Sequence, residues 1–347
     1  MTAGTDSEFG FELRVCQWAE RAWPPGGERD STVLVARQLG TSGRRWDTIV
    51  LECDPAGLRQ RAVFGPERLD SDLLHVVRNA PREYAYYRDA LPDPGYPWRY
   101  VRESIHEAAD RGVVETRRRG GRIELRRKWR YPDWLRRVVA IENKPDLDAA
   151  AARALVPQLR RDVALGLADE VWVATAATGD PVEPALLERL PVEAGILLLD
   201  LESGDTGVAW HPHSLSVSDP GTRILENPTG SDRDQSAARF EYVDADWKAD
   251  KRLEIAERAY ERGWRAYADT MRPDCRHFSL EAVDQDVLPY CEAKECHPTA
   301  AECSGRCPEF EPEPPAWRQK GWPLEGGPGA ALKRLLARRR ERERPGL

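Results

Sequence analysis

The 347 residues, 41% of them hydrophobic, suffice for a sizeable core, as two domains or as one with additions. No apolar run approaches a membrane span and no secretory leader opens the sequence, which excludes a chain crossing a membrane by helices and leads us to expect a soluble, cytoplasmic protein. Net charge is −7, yet eleven Lys or Arg stand against three acids between Arg111 and Arg137, so general stickiness toward polyanions is excluded while a directed basic face is not.

Glu8 to Trp23 is expected to form the first helix, carrying Glu12 and Cys16. GRRWDTIVLECD predicts a strand with Asp47 at its start. Ile49 and Leu51 lie on one face of it, and Thr48, Val50 and Glu52 on the other, because strand side chains alternate. Cys53 fits a small buried residue there. Leu69, Leu73, Leu74 and Val77 then give helical spacing, followed by a shorter stretch around Tyr84, Tyr87 and Leu91. After PDPGYP, Trp98 to Arg111 predicts a helix with Val101, Ile105 and Ala108 inward and Gly112 as its C-cap. VVETRRRGGRIELRR predicts a hairpin turning at Gly120-Gly121.

The run VVAIENKPDLD carries the chemistry. Val138, Val139 and Ile141 predict a strand that delivers Glu142 and Lys144 to one side at its C-terminal end, where Pro145 stops it. A carboxylate able to hold a hard cation, beside a lysine able to position a water, suits metal-assisted phosphodiester hydrolysis; an exposed ion pair is the structural alternative. Ala151 to Gly166 predicts a helix with Leu155, Leu159 and Val163 on one stripe and Gln158 and Asp162 one turn apart; Pro157 points to a start near Val156. A buried strand from Val171 to Thr175 completes a βαβ unit. Asp47 and Glu142 would come side by side if their strands are antiparallel neighbours. Asp133, in a Pro-Asp pair, competes for that role. A continuous strand from Leu135 to Lys144 would leave it about 30 Å from Glu142, which favours Asp47.

Further on, Ala194 to Leu201 and Thr206 to His211 predict a hairpin, Ser218 to Gln235 a polar loop, and Asp246 to Met271 one long helix. Cys275, Cys291, Cys296, Cys303 and Cys307 gather near His277 and His297. In a reducing compartment such a cluster argues for metal over disulfides; four thiolates suit structural zinc, though no Cys-x2-Cys pair is present. EFEPEPPAW reads as an acidic linker and the residues from Ala330 as a basic helical tail. Nothing resembles a Gly-rich phosphate loop or a Ser-His-Asp order.

The order helix, strand, Asp-strand, Glu-x-Lys strand, Gln-helix, strand resembles the PD-(D/E)XK nuclease superfamily, more closely its RecB-like branch, over about Glu12 to Thr175 less an insertion. The resemblance implies an α/β, restriction-endonuclease-like αβββαβ core. It implies Mg²⁺ or Mn²⁺ held by Asp47 and Glu142, Lys144 beside the attacking water, a supporting Gln158, and Glu12 within reach of the metal. Some RecB-like nucleases also hold an iron–sulfur cluster through one cysteine before the core and three after it; Cys16 is placed for the first, and the later spacing departs from theirs. The three helices and basic hairpin of the insertion resemble a winged helix-turn-helix, which implies DNA contacts from Arg102 on its last helix and from Arg117, Arg118, Arg119, Arg122, Arg126 and Arg127 on the hairpin.

The expected organisation is a discontinuous core, 8–64 and 131–215, an inserted nucleic-acid-binding module, 65–130, a helix and cysteine region, 236–310, and a linker with basic tail, 311–347. The expected function is a metal-dependent DNA nuclease of repair, recombination or defence, acting on double-stranded or branched DNA. The alternative is a non-catalytic DNA-binding protein on the same scaffold, with a structural metal site.

Overall fold

The computed structural model describes residues 7–177, 189–226, 239–312 and positions 334, 335 and 338, apart from 29, 42, 202, 270, 284, 285 and 305. The first helix, α1 (Glu8–Ala22), begins where the Ser7 hydroxyl accepts the Gly10 N–H at 3.1 Å. Strands β1 (Thr32–Thr41) and β2 (Arg44–Cys53) follow as a hairpin. Asp54 caps α2 (Pro55–Ala62), whose first residue is a proline that has no N–H to leave unpaired. Then come α3 (Ser71–Asn79), β3 (Ala85–Tyr86), α4 (Tyr87–Ala90), α5 (Trp98–Asp110), β4 (Val114–Arg119) and β5 (Arg122–Arg127). These last strands form a small sheet in the order β3-β5-β4. Its hairpin turns on Gly120 and Gly121 at φ 56° and 76°, values that L side chains resist. The stretch around Tyr84 to Leu91 is thus a strand of two residues and one helical turn, not a helix.

Next are β6 (Leu135–Asn143), α6 (Ala149–Leu165), β7 (Glu170–Ala176), β8 (Ala194–Leu199) and β9 (Thr206–Trp210). The large sheet runs β1-β2-β6-β7-β8-β9; β6, β7 and β8 are parallel, and the other neighbours antiparallel. Helix α6 starts well before the expected Val156. The Asp148 carboxylate accepts the N–H groups of Ala150 and Ala151, and the alanine run that follows favours helix, so Pro157 lies inside.

Two further expectations are corrected. The segment expected as loop from Ser218 contains β10 (Gly221–Glu226), paired with β11 (Arg239–Val243); residues 227–238 lie outside the described set. The long helix is α7 (Ala245–Arg262), followed after Gly263 by a 3-10 turn, Trp264–Asp269. Gly263, at φ 61°, lets the chain change direction there. The cysteine region carries the hairpin of β12 (Phe278–Val283) and β13 (Asp286–Cys291). The basic tail falls almost wholly outside the described residues.

Alternation along the strands divides the core into two layers. Ile49, Leu51, Val138 and Ala140 pack with α6, α7 and the helices of 65–130, while Val50, Val139 and Ile141 pack with α1 and the 3-10 turn. Gly263 is where the chain passes from the first layer to the second. Fully buried Arg61 of α2 and Glu257 of α7 meet at 2.5 Å, and segment 65–130 joins this pair where Glu257 accepts the Leu69 N–H and Arg61 donates to the Gly65 and Glu67 carbonyls; Glu257 also accepts the Tyr131 hydroxyl.

Candidate functional site

The site grows from an irregularity in the β1–β2 hairpin. Pairing passes from Arg37 with Thr48 to Leu39 with Trp46, and Gln38 stands between them at φ 53°. Its amide donates to Glu12 Oε1 at 3.0 Å and to Asp47 Oδ1 at 3.1 Å, linking α1 to β2. The other Asp47 oxygen accepts the N–H of Asn143 at 3.0 Å. On the adjacent strand pair Thr48 faces Ile141; one step further along this antiparallel register Asp47 faces Glu142. The sheet therefore brings these two carboxylates together.

Glu142 is 4% exposed. Burial, followed by the charge of Asp47, pushes its carboxyl up to about 7; Asp162 adds to this and Arg44 opposes it. Arg44, at the start of β2, donates through Nη2 to Glu142 and to Asp162 of α6, both at 2.7 Å. Burial works against the Arg44 charge, yet hydrogen bonds and charge from Asp162 and Glu142 hold its proton more tightly than usual. Burial also raises the carboxyls of Asp162 and Glu12. Asp162, Gln38 and Arg44 are the site residues that strand and helix periodicity did not single out; Asp162 lies one turn after Gln158, the only sequence signal for any of them.

Lys144 departs from the expected geometry. It lies one residue past β6, and its ammonium pairs with Glu8 in the first turn of α1, whereas Glu142 is held by Arg44 and Asp162 of α6. The two side chains thus belong to different layers rather than sharing one side: a carboxylate is on offer at α1 just as the strand ends before Pro145. Gln158 is half-buried on α6, with no hydrogen bond recorded among the described residues. Asp133 is exposed at the opposite end of β6, where its backbone lies against Gly57 of α2, so it does not join Glu142.

Cys16 is buried between α1 and the sheet, 3.3 Å from the Thr48 hydroxyl, and burial pushes its thiol up to about 12. The Asn143 amide nitrogen donates to the same hydroxyl at 3.0 Å. In the C-terminal lobe, Cys291 N–H donates to the Cys296 carbonyl at 2.9 Å. Cys303 accepts the Arg272 N–H at 3.4 Å, and its thiol is raised by burial with additions from Cys291, Cys275 and Cys307. The lobe docks on α1 through the Ser7 hydroxyl, which donates to the His297 carbonyl at 2.8 Å. Among the described residues, no group of three or more His, Cys, Asp or Glu is arranged to hold a metal ion.

The basic hairpin is partly self-neutralised. Arg117 pairs with Glu124 and Arg126 with Glu115, each at 2.6 Å, and both guanidinium groups lie over the Tyr84 ring. Arg122 lies over Tyr86 at 5.1 Å, and Arg118 and Arg119 are exposed with no ion pair among the described residues. Arg102 is exposed on α5, and Arg127 is half-buried. Trp129, two residues past β5, is half exposed.

The profile of a family of unknown function, DUF5787, matches residues 34–312, and the chain belongs to that family. No curated protein and no solved structure matches the chain. No described helix is long and apolar enough to cross a membrane.

Proposed function

We propose that this DUF5787 member is a metal-dependent DNA nuclease with a PD-(D/E)XK core of the RecB-like kind. The observation that carries the reading is Asp47 facing Glu142 across antiparallel strands, with the Glu142 carboxyl raised to about 7 in a cluster closed by Asp162. Mg²⁺ is commonly held by one or two carboxylates, waters and substrate phosphate, so a two-carboxylate donor set fits it without a third protein ligand. Bound there, Mg²⁺ or Mn²⁺ would polarise the phosphate and the attacking water. Asp47 and Glu142 would hold the ion, and Gln38 and the Asn143 N–H fix Asp47 for that task. Arg44 supplies the positive charge that keeps Glu142 and Asp162 together. Lys144 takes its proposed part at the reacting water only when its pair with Glu8 opens.

The order of elements in 65–130, two helices with a helical turn between them and a basic hairpin after them, supports the winged-helix reading, and the hairpin arginines with Tyr84, Tyr86 and Trp129 suit DNA. One observation favours the non-catalytic alternative: Arg44 already engages both Glu142 and Asp162, so part of their charge is answered without a metal. Assays with Mg²⁺ and Mn²⁺ on linear and circular, single- and double-stranded DNA separate the two. Lys144→Ala is expected to abolish cleavage with DNA affinity nearly unchanged, because the lysine acts in the transition state. Equal cleavage by this variant would assign the activity elsewhere.

A further inference from the structure

The hairpin that carries Arg44 has a second side. Gly40 and Thr41 at the end of β1, the start of α3, β10 and α7 enclose a cavity of about 600 Å³. That is the size of a small-ligand site. Four cations line it, Arg68, Arg223, Lys251 and Arg258, against two carboxylates, Asp70 and Glu254. Both carboxylates are already engaged: Asp70 caps α3 through the Leu73 N–H, and Glu254 pairs with Lys251 at 2.7 Å. Arg258 donates only to backbone carbonyls, those of Gly40 and Glu254, and has no ion pair among the described residues. Arg68 reaches Glu261 only at 3.8 Å and Arg223 reaches Glu241 at 3.4 Å. Burial lowers the hold of Arg258 on its proton, and nearby Arg68 and Arg262 add to this while Glu254 opposes it.

A half-buried guanidinium without a carboxylate, among further cations, is an uncompensated cost until an anion arrives. Guanidinium forks match phosphate oxygens two at a time. Trp247 supplies a flat apolar wall, with the Arg223 guanidinium 6.0 Å from its ring centre. We propose that this cavity binds the phosphate of a nucleotide, with Arg258 and Arg223 as its anion contacts and Trp247 beside the base. The nucleotide is either free or the phosphorylated end of a nucleic-acid strand. This inference stands independently of hydrolysis at Asp47 and Glu142.

The test is titration calorimetry on the full chain without divalent cations. The probes are inorganic phosphate, a deoxynucleoside monophosphate, its nucleoside, and one short oligonucleotide with and without a 5′ phosphate. The monophosphate is expected to bind at least about tenfold tighter than the nucleoside, and Arg258→Gln to remove about tenfold of that affinity. Arg223→Gln, on β10, is expected to weaken binding likewise and guards against misfolding of the first variant. A 5′-phosphate preference in the oligonucleotide identifies a strand end as the source; tight monophosphate binding without that preference identifies a free nucleotide. No phosphate-dependent binding, or binding unchanged in both variants, overturns the proposal. Phosphate-dependent binding by a wild-type protein that cleaves no DNA with Mg²⁺ or Mn²⁺ would sink the nuclease reading and leave the pocket standing.

Discussion

Glu142 couples the candidate site to stability. Its carboxyl is raised from 4.5 to about 7, so the folded state favours the protonated form more than the unfolded chain does. That contribution is fully present below about pH 4.5 and is lost as pH rises through about 7. It amounts to about 3 kcal/mol at most. Thermal melting of the wild type is therefore expected to fall more steeply between pH 5 and 8 than that of Glu142→Gln; parallel curves would show that the carboxyl is not perturbed. The juxtaposition of Asp47 and Glu142 was legible in the sequence as antiparallel neighbours, although β2 begins at Arg44 and Asp47 lies inside it rather than at its start. Arg44 was not: its partners lie 98 and 118 residues away, and no local period encodes such a contact. Lys144 shows the opposite failure, since alternation holds only within the strand and Lys144 lies beyond it.

Elements bounded by strong local signals came out as read. The helix over Trp98–Asp110 and the hairpin at Gly120 and Gly121 have unambiguous amphipathic or turn chemistry. The start of α6 and the end of α7 are ambiguous in the sequence, because Pro157 competes with a cap at Asp148 and Gly263 interrupts an apolar stripe that continues beyond it. Within the hairpin the ion pairs redistribute the expected charge. Arg117 and Arg126 are paired with Glu124 and Glu115, so in the proposed DNA interface Arg118, Arg119 and Arg122 would be the phosphate contacts. Replacing those three by Gln is expected to lower the slope of log K against log salt for DNA binding by about 2.7. Arg117→Gln alone should change it little. An unchanged slope in the triple variant would remove the hairpin from the interface.

At the scale of the whole molecule, segment 65–130 and the sheet share one hydrophobic cluster, and the buried pair of Arg61 in α2 with Glu257 in α7 is hydrogen-bonded to that segment at Gly65, Glu67 and Leu69. Removing one partner strands the other charge in the core, so Glu257→Ala is expected to cost about 3–5 kcal/mol in denaturant unfolding; a loss under about 1 kcal/mol would mean that Arg61 finds water. Such long-range stitching is invisible in the sequence, which presented 65–130 as an insertion and α7 as part of a later region. The proposed hydrolytic site is Asp47 together with Glu142. It is tested most directly by incubating linear double-stranded DNA with Mg²⁺ or Mn²⁺ and either wild type or Glu142→Gln, prepared in parallel. Metal-dependent cleavage by the wild type and none by the variant is expected; cleavage by both at equal rates, or by neither, would rule the site out as hydrolytic on this substrate.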